Sequence, residues 1–324
     1  MPVGTLSFLS PLAALVGVAV VPALLAVAGT ERRSRALCRL LGLRARGVGS
    51  FLWTALALAG CAACLALAAA QPVVGKVRPV EGRRDAQAQF VFDISRSMLA
   101  AAGPRAPTRF TRARAAARAV RAQLSDLPVG VVSMTDRVLP HLFPTLGIGV
   151  FQATLDDALG IERPPPDRLG RGRATSLGSL GLLATRNFFG ENASRRVAVV
   201  FTDGESLPYD PVDLRDKLGQ GNVSLVVVRT WAPEERIYDA RGNVLAAYRP
   251  DPAAVTALDR DMATVGARVF RPADVDGVAD AVRRAVGSGP VGPAGRELRT
   301  TALAPYAVLG SFLPLAFLLW RRNL

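Results

Sequence analysis

The sequence predicts an α/β domain, an open and mostly parallel six-stranded sheet with helices on both faces, attached to three membrane-spanning helices. Three observations predict it. Between Gln89 and Val286, short runs rich in β-branched residues alternate with amphipathic stretches, the order in which βαβ units are written. Hydrophobic residues make up 50% of the 324-residue chain, more than an ordinary soluble domain carries. Finally, Ser7–Gly29, Phe51–Ala70 and Ala302–Trp320 hold no charged residue over 23, 20 and 19 positions. Each suffices for a hydrocarbon core, which takes about 20 helical residues.

The first apolar segment lacks the basic leader and the short apolar run of a cleaved signal peptide, so it reads as an anchor. Residues 1–70 then form two transmembrane helices, about 7–29 and 51–70, around a basic loop 31–47 that carries Arg32, Arg33, Arg35, Arg39, Arg44 and Arg46. The positive-inside bias makes this loop cytoplasmic, together with the tail 321–324 after the third helix, 302–320. The large domain falls on the extracytoplasmic side of a multi-pass cell-membrane protein. Lys76, Arg78, Arg83 and Arg84 run counter to that bias.

Residues 71–88, polar and with Pro and Gly, form a connector to the domain at 89–287, and 288–301, with Pro290, Gly292, Pro293 and Gly295, a linker out of it. Within the domain, strands are expected at Gln89–Ile94, Gly130–Met134, Val138–Phe143, Arg196–Thr202, Val223–Thr230 and Ala267–Phe270. The clearest helix is Thr108–Leu124. Phe110, Ala113, Ala117, Val120 and Leu124 share its apolar face, and Arg114, Arg118 and Arg121 a solvated one. Further helices are expected at Ser176–Asn187, Pro211–Leu218, Asp251–Thr264 and Asp274–Val286, and a small exposed hairpin at 236–248.

The net charge of +14 does not mark a nucleic-acid binder. Its arginines are scattered through an alanine-rich chain, many serve as topology signals, and no aromatic-interleaved basic motif accompanies them. Cys38, Cys61 and Cys64 all lie in or between the first two spans, which excludes a disulfide framework in the domain. The small residues Gly60, Cys64 and Ala68, one helical turn apart, suit helix packing within the chain or in a homo- or hetero-oligomer.

Chemistry concentrates at Phe90-Val91-Phe92-Asp93-Ile94-Ser95-Arg96-Ser97-Met98, where an apolar strand ends in a carboxylate and two hydroxyls at alternate positions. Such oxygens are hard ligands, and the carboxyl end of a strand is where open α/β sheets place their ligands. Thr175, opening a helix, and Asp203, in a strand-end Thr-Asp-Gly, fall where a cation at Asp93 needs further donors.

Asp-x-Ser-x-Ser, a downstream threonine and Thr-Asp-Gly in this order resemble the metal-ion-dependent adhesion site (MIDAS) of von Willebrand factor A (VWA) domains. With the flanking spans, and with Gly130-Val131-Val132-Ser133, the chain looks like the Bat-type, aerotolerance-associated membrane proteins. The resemblance implies a site for Mg²⁺ (or Mn²⁺ or Ca²⁺) at Asp93, Ser95, Ser97, Thr175 and Asp203. Hydroxyls would bind directly and the carboxylates act through water or by orienting them. It implies a protein ligand that supplies an Asp or Glu to the metal, and a MoxR-type ATPase as a partner. Arg96 stands where the family commonly has glycine.

Other activities fit less well. An aspartyl phosphatase wants a second acid where Ser95 stands, serine hydrolysis has only His141 as a base and no Gly-x-Ser-x-Gly elbow, and a transporter would place charged residues inside the spans. A VWA module without metal is the remaining alternative. The expected protein is therefore a non-catalytic, metal-dependent interaction module.

Overall fold

The computed structural model describes residues 5–41, 48–163 and 175–322, arranged as two compact units, 79–296 and the two terminal stretches 1–78 and 297–324 taken together. Arg44 and Arg46 of the basic loop, the Arg173-Ala174 that precedes Thr175, and Asn323-Leu324 of the tail lie outside the described residues.

In the larger unit the six expected strands are present: β3 (Ala86–Asp93), β4 (Val129–Met134), β5 (Val138–Thr145), β6 (Arg195–Thr202), β7 (Val223–Arg229) and β8 (Arg268–Phe270). They lie in the order β5-β4-β3-β6-β7-β8, with only β5 antiparallel to its neighbour. The two edges are β5, which carries Pro140 and Pro144, and the three-residue β8. After β3 the chain crosses to one side of the sheet order, and after β6 to the other. The carboxyl ends of β3 and β6, paired directly from Ala86/Arg195 to Phe92/Phe201, thus flank the topological switch point, where open sheets open a crevice.

Alternation along β3 sends Phe90 and Phe92 to one face and Val91 to the other, all fully buried, so both faces need cover. On the first face lie α3 (Arg109–Gln123), α4 (Ile148–Ala153) and α8 (Val275–Val286), and on the second α5 (Leu182–Thr185), α6 (Pro211–Gln220) and α7 (Pro252–Val265). Phe92 stacks on Phe201 with centroids 4.9 Å apart, directly under the strand ends, and Phe90 meets Phe151 edge-on at 5.6 Å. Thr108 starts α3 by accepting the Thr111 N–H, and Asp251 and Asp274 cap α7 and α8 in the same way.

Several expectations change. The stretch Ser176–Asn187 is not one helix but a 3₁₀ turn, Leu177–Gly181, running into the single turn of α5. The arginines of α3 are not all solvated. Arg121 is buried and donates to the carbonyls of Leu124 and Leu146 at 2.6 and 2.8 Å, closing the end of its own helix. The hairpin at 236–248 is reduced to one bridge, Tyr238 to Val244, around a turn in which Gly242 adopts φ +85° and the Asp239 carboxylate accepts from the Arg241 and Asn243 amides.

The smaller unit contains α1 (Val20–Leu40), α2 (Val48–Ala69) and α9 (Ala304–Arg322), which carry the three helical stretches long and apolar enough to cross a membrane among the described residues. The first is entered through β1 (Thr5–Phe8) and a 3₁₀ stretch, Pro11–Ala19, so helix starts later than residue 7. It also continues past the apolar segment, so Arg32, Arg33 and Arg35 stand on a helix rather than in a loop. The small-residue stripe of α2 meets the third span. A Cβ added at Gly310 would lie 3.8 Å from the Cys64 sulfur, and one at Gly60 3.9 Å from Pro314. The stretches read as connector and linker contain strands β2 (Pro72–Arg83) and β9 (Val291–Ala302), which form a small sheet in the order β1-β2-β9. Their prolines and glycines mask the pattern, and β2 finds its antiparallel partner at Thr5–Phe8, far away in sequence.

Phe92→Ala should remove the stacked pair under the strand ends and destabilise the domain by about 3–5 kcal/mol, the usual cost of emptying a buried aromatic site. Chemical denaturation followed by circular dichroism measures this.

Candidate functional site

Asp93 is the last residue of β3 and has no exposed surface. Its Oδ1 accepts the Ser95 N–H at 2.9 Å and the Thr175 hydroxyl at 3.0 Å, and its Oδ2 accepts the Thr202 hydroxyl at 2.7 Å. One carboxylate thereby ties together the loop after β3, the segment opening the 3₁₀ turn at Leu177, and the end of β6. Thr202 also accepts the Gly204 N–H at 3.1 Å, and Gly204, at φ +88°, reverses the chain where a Cβ would lie 2.9 Å from Leu258. The loop after β6 is pinned to the Thr175 segment by the Leu207 N–H, which donates to the Thr175 carbonyl at 2.7 Å, and by the Leu177 N–H, which donates to Ser206 Oγ at 3.0 Å.

Burial pushes the Asp93 carboxyl up to about 7, and the Asp203 charge adds to this against the hydrogen bonds from Ser95 and Thr202. Asp203, also fully buried, accepts the Glu205 N–H on Oδ1 at 3.0 Å and Arg109 Nη1 on Oδ2 at 2.8 Å. Arg109 in turn donates through Nε to Glu235 at 2.6 Å and through Nη1 to the Tyr248 hydroxyl at 2.8 Å and Glu205 at 3.2 Å. Burial opposes its charge, but Asp203 and Glu235 hold its guanidinium above the ordinary range. Burial and the Asp203 charge raise Glu205.

The structure brings all five sequence-predicted residues, Asp93, Ser95, Ser97, Thr175 and Asp203, to the carboxyl ends of β3 and β6. Ser95 and Ser97 place their hydroxyl oxygens 2.9 Å apart. Two adjacent ligands of an octahedral Mg²⁺, each about 2.1 Å from the ion, are separated by about that distance. With Thr175 donating its proton to Asp93, its oxygen keeps free lone pairs. The donor set therefore fits a hard divalent cation, with neutral oxygens nearest and carboxylates behind them. Among the described residues no three His, Cys, Asp or Glu side chains cluster as metal ligands. A groove of about 880 Å³ opens beside Ser95, Ser97 and Thr175, with exposed Arg96 at its rim and Leu177, Leu207 and Leu258 along its walls.

Sequence reasoning missed the layer behind these residues. Arg109 was indistinguishable from the arginines around it, although its place just after the capping Thr108 fixes it at the start of α3. Glu205, directly after the Asp203-Gly204 turn, accepts from Arg109 and from the Tyr248 hydroxyl, the latter at 2.7 Å. His141 lies on edge strand β5 and shares a hydrogen bond of 2.8 Å with Ser133.

The sheet order and its helical cover are those of a VWA-like fold, carried on a chain with three long apolar helices among the described residues. A crystal structure of the conserved hypothetical protein BatB from Bacteroides thetaiotaomicron shares this fold at a TM-score of 0.50 and 19% identity, covering 63% of this chain and 100% of that one. An aerotolerance-related membrane protein from Bacteroides fragilis NCTC 9343 matches at 0.48 and 19%, covering 62% and 98%. Proximal thread matrix protein 1 from the mussel byssus, in a structure with a zinc-occupied MIDAS motif, matches at 0.42 and 14%, covering 70% and 50%. No model of a protein family and no curated protein matches the chain.

The raised Asp93 has a consequence for stability. Between its unfolded value near 3.8 and its folded value of about 7, the folded state holds a proton that the unfolded state has released, so without metal stability falls as pH rises through this window. At about 1.4 kcal/mol per unit the loss is on the order of a few kcal/mol. Thermal denaturation in chelator should show a higher midpoint at pH 5 than at pH 7.5, and Asp93→Asn should flatten the difference.

Proposed function

We propose that the chain is a membrane-anchored VWA protein that binds a protein partner through a divalent cation held at Asp93, Ser95, Ser97, Thr175 and Asp203. The observation that carries this reading is the Ser95–Ser97 hydroxyl pair, 2.9 Å apart at the mouth of the groove and backed by two buried carboxylates. The two carboxylates balance the charge of Mg²⁺ or Mn²⁺ from behind, while the neutral hydroxyls leave its outward face electrophilic. An Asp or Glu of the partner can then complete the octahedron without like-charge repulsion. The leucines of the groove offer an apolar wall beside that carboxylate, and Arg96 a cation at the rim. The role is read as binding rather than turnover because Ser95 stands two residues after Asp93, where an aspartyl phosphatase carries its second acid.

In this reading the chain crosses the membrane three times, with the domain outside and the arginine-bearing end of α1 and the closing tail inside. A cytosolic ATPase of the MoxR type then meets only those inner segments, and the metal site faces the envelope.

Two measurements test the proposal. Mg²⁺ or Mn²⁺ titration of the full chain in detergent, by calorimetry with an acidic peptide present, should show binding that Asp93→Ala and Ser95→Ala weaken by at least about 100-fold. Unchanged binding in both variants would remove these residues from the site. A periplasm-active reporter fused after Val286 should be active, and an inactive fusion would reverse the sidedness.

A further inference from the structure

Arg109 is a fully buried charge tied to several acids at once. Its side chain has no exposed surface, and its backbone N–H donates to the Ala100 carbonyl at 2.8 Å, which fixes the start of α3 against the loop that carries Ser95 and Ser97. Its guanidinium joins Asp203 on one side to Glu235 on the other, at 2.8 and 2.6 Å, between the rings of Trp231 and Tyr248, each 5.9 Å away. Guanidinium does not give up its proton inside proteins, so this charge is permanent. Arg112 adds a second cation on the far oxygen of Glu235. With Asp93 ionised, the carboxylates of Asp93, Asp203, Glu205 and Glu235 stand against these two guanidiniums and leave a net charge of −2, which one divalent ion neutralises.

The geometry also decides how Asp203 takes part. One of its oxygens accepts from the Glu205 amide and the other from Arg109, so its charge is partly offset. From this we infer that Arg109 is a positioning residue of the cation site. It offsets the Asp203 charge and so lowers the negative charge felt by the metal, with the result that the ion binds weakly until an incoming carboxylate completes its shell. The inference rests on the metal-site reading above and adds to it an internal counter-cation that sets metal affinity.

A charge-setting role differs in sign from a scaffolding one. Removing the cation should tighten metal binding, whereas removing a carboxylate behind it should strengthen the grip of Arg109 on Asp203 and loosen metal binding. Damage to a scaffold would weaken both. The test is Mn²⁺ titration of the full chain in detergent, read from the electron paramagnetic resonance signal of free Mn²⁺, with circular dichroism to check folding. Relative to the parent, Arg109→Met should bind Mn²⁺ on the order of tenfold more tightly, as expected from losing one positive charge at short range in a partly buried site. Glu235→Gln, close in shape to the parent, should bind several-fold more weakly. Any other pattern among folded variants overturns the inference while leaving the metal site standing. If Arg109→Met does not fold, Arg112→Met, which removes the second cation at a partly exposed position, decides in its place, tighter binding supporting the role and equal or weaker binding overturning it. A parent that binds no Mn²⁺ even with an acidic peptide present would overturn the metal-site reading itself, and this inference with it.

Discussion

The arrangement at the top of the sheet depends on one constraint, that a carboxylate buried without a cation of its own must be satisfied by hydrogen bonds. Asp93 meets it with three donors from three segments: a backbone amide after β3, a hydroxyl before the 3₁₀ turn at Leu177, and a hydroxyl at the end of β6. Leaving such a group unpaired costs several kcal/mol, so the donors are held in place by the residue they serve. The convergence of the loops is thus a condition of burying Asp93, and the crevice at the switch point supplies the place where it can be done.

Asp203 meets the same constraint by a different route. It has a permanent cation beside it, and that cation draws in Glu205, Glu235 and Tyr248. The two acids of the site are therefore unlike. One is satisfied by neutral donors and its carboxyl is pushed up to about 7, while the other is neutralised in a buried ion-pair network. Isolated buried pairs add little net stability, but breaking one leaves an uncompensated charge, so networks of this kind persist as a unit.

Most of the fold was legible because its signals are local and periodic. The alternation of Phe90, Val91 and Phe92 needs no partner to be read, and the capping residues Thr108, Asp251 and Asp274 mark their helices directly. The five candidate residues were legible as a spaced pattern whose members, ordinary singly, fall in an order that the structure brings to one place. What escaped is what depends on distant partners. Strand β2 is extended because Thr5–Phe8 pairs with it, and the burial of Arg109 is a property of Asp203, Glu235 and Tyr248, between 94 and 139 residues away. An arginine among arginines carries no mark of which one will be enclosed.

The edges of the six-stranded sheet also matter. Exposed strand edges are templates for pairing with further chains, and copies confined to the plane of a membrane meet far more often than copies free in three dimensions. On one edge, Pro140 and Pro144 of β5 remove two amide donors, and on the other β8 is only three residues long. Neither offers a ladder long enough to recruit a neighbour. Crowded copies are therefore not drawn together through the sheet, whose edges stay free of chain-to-chain ladders.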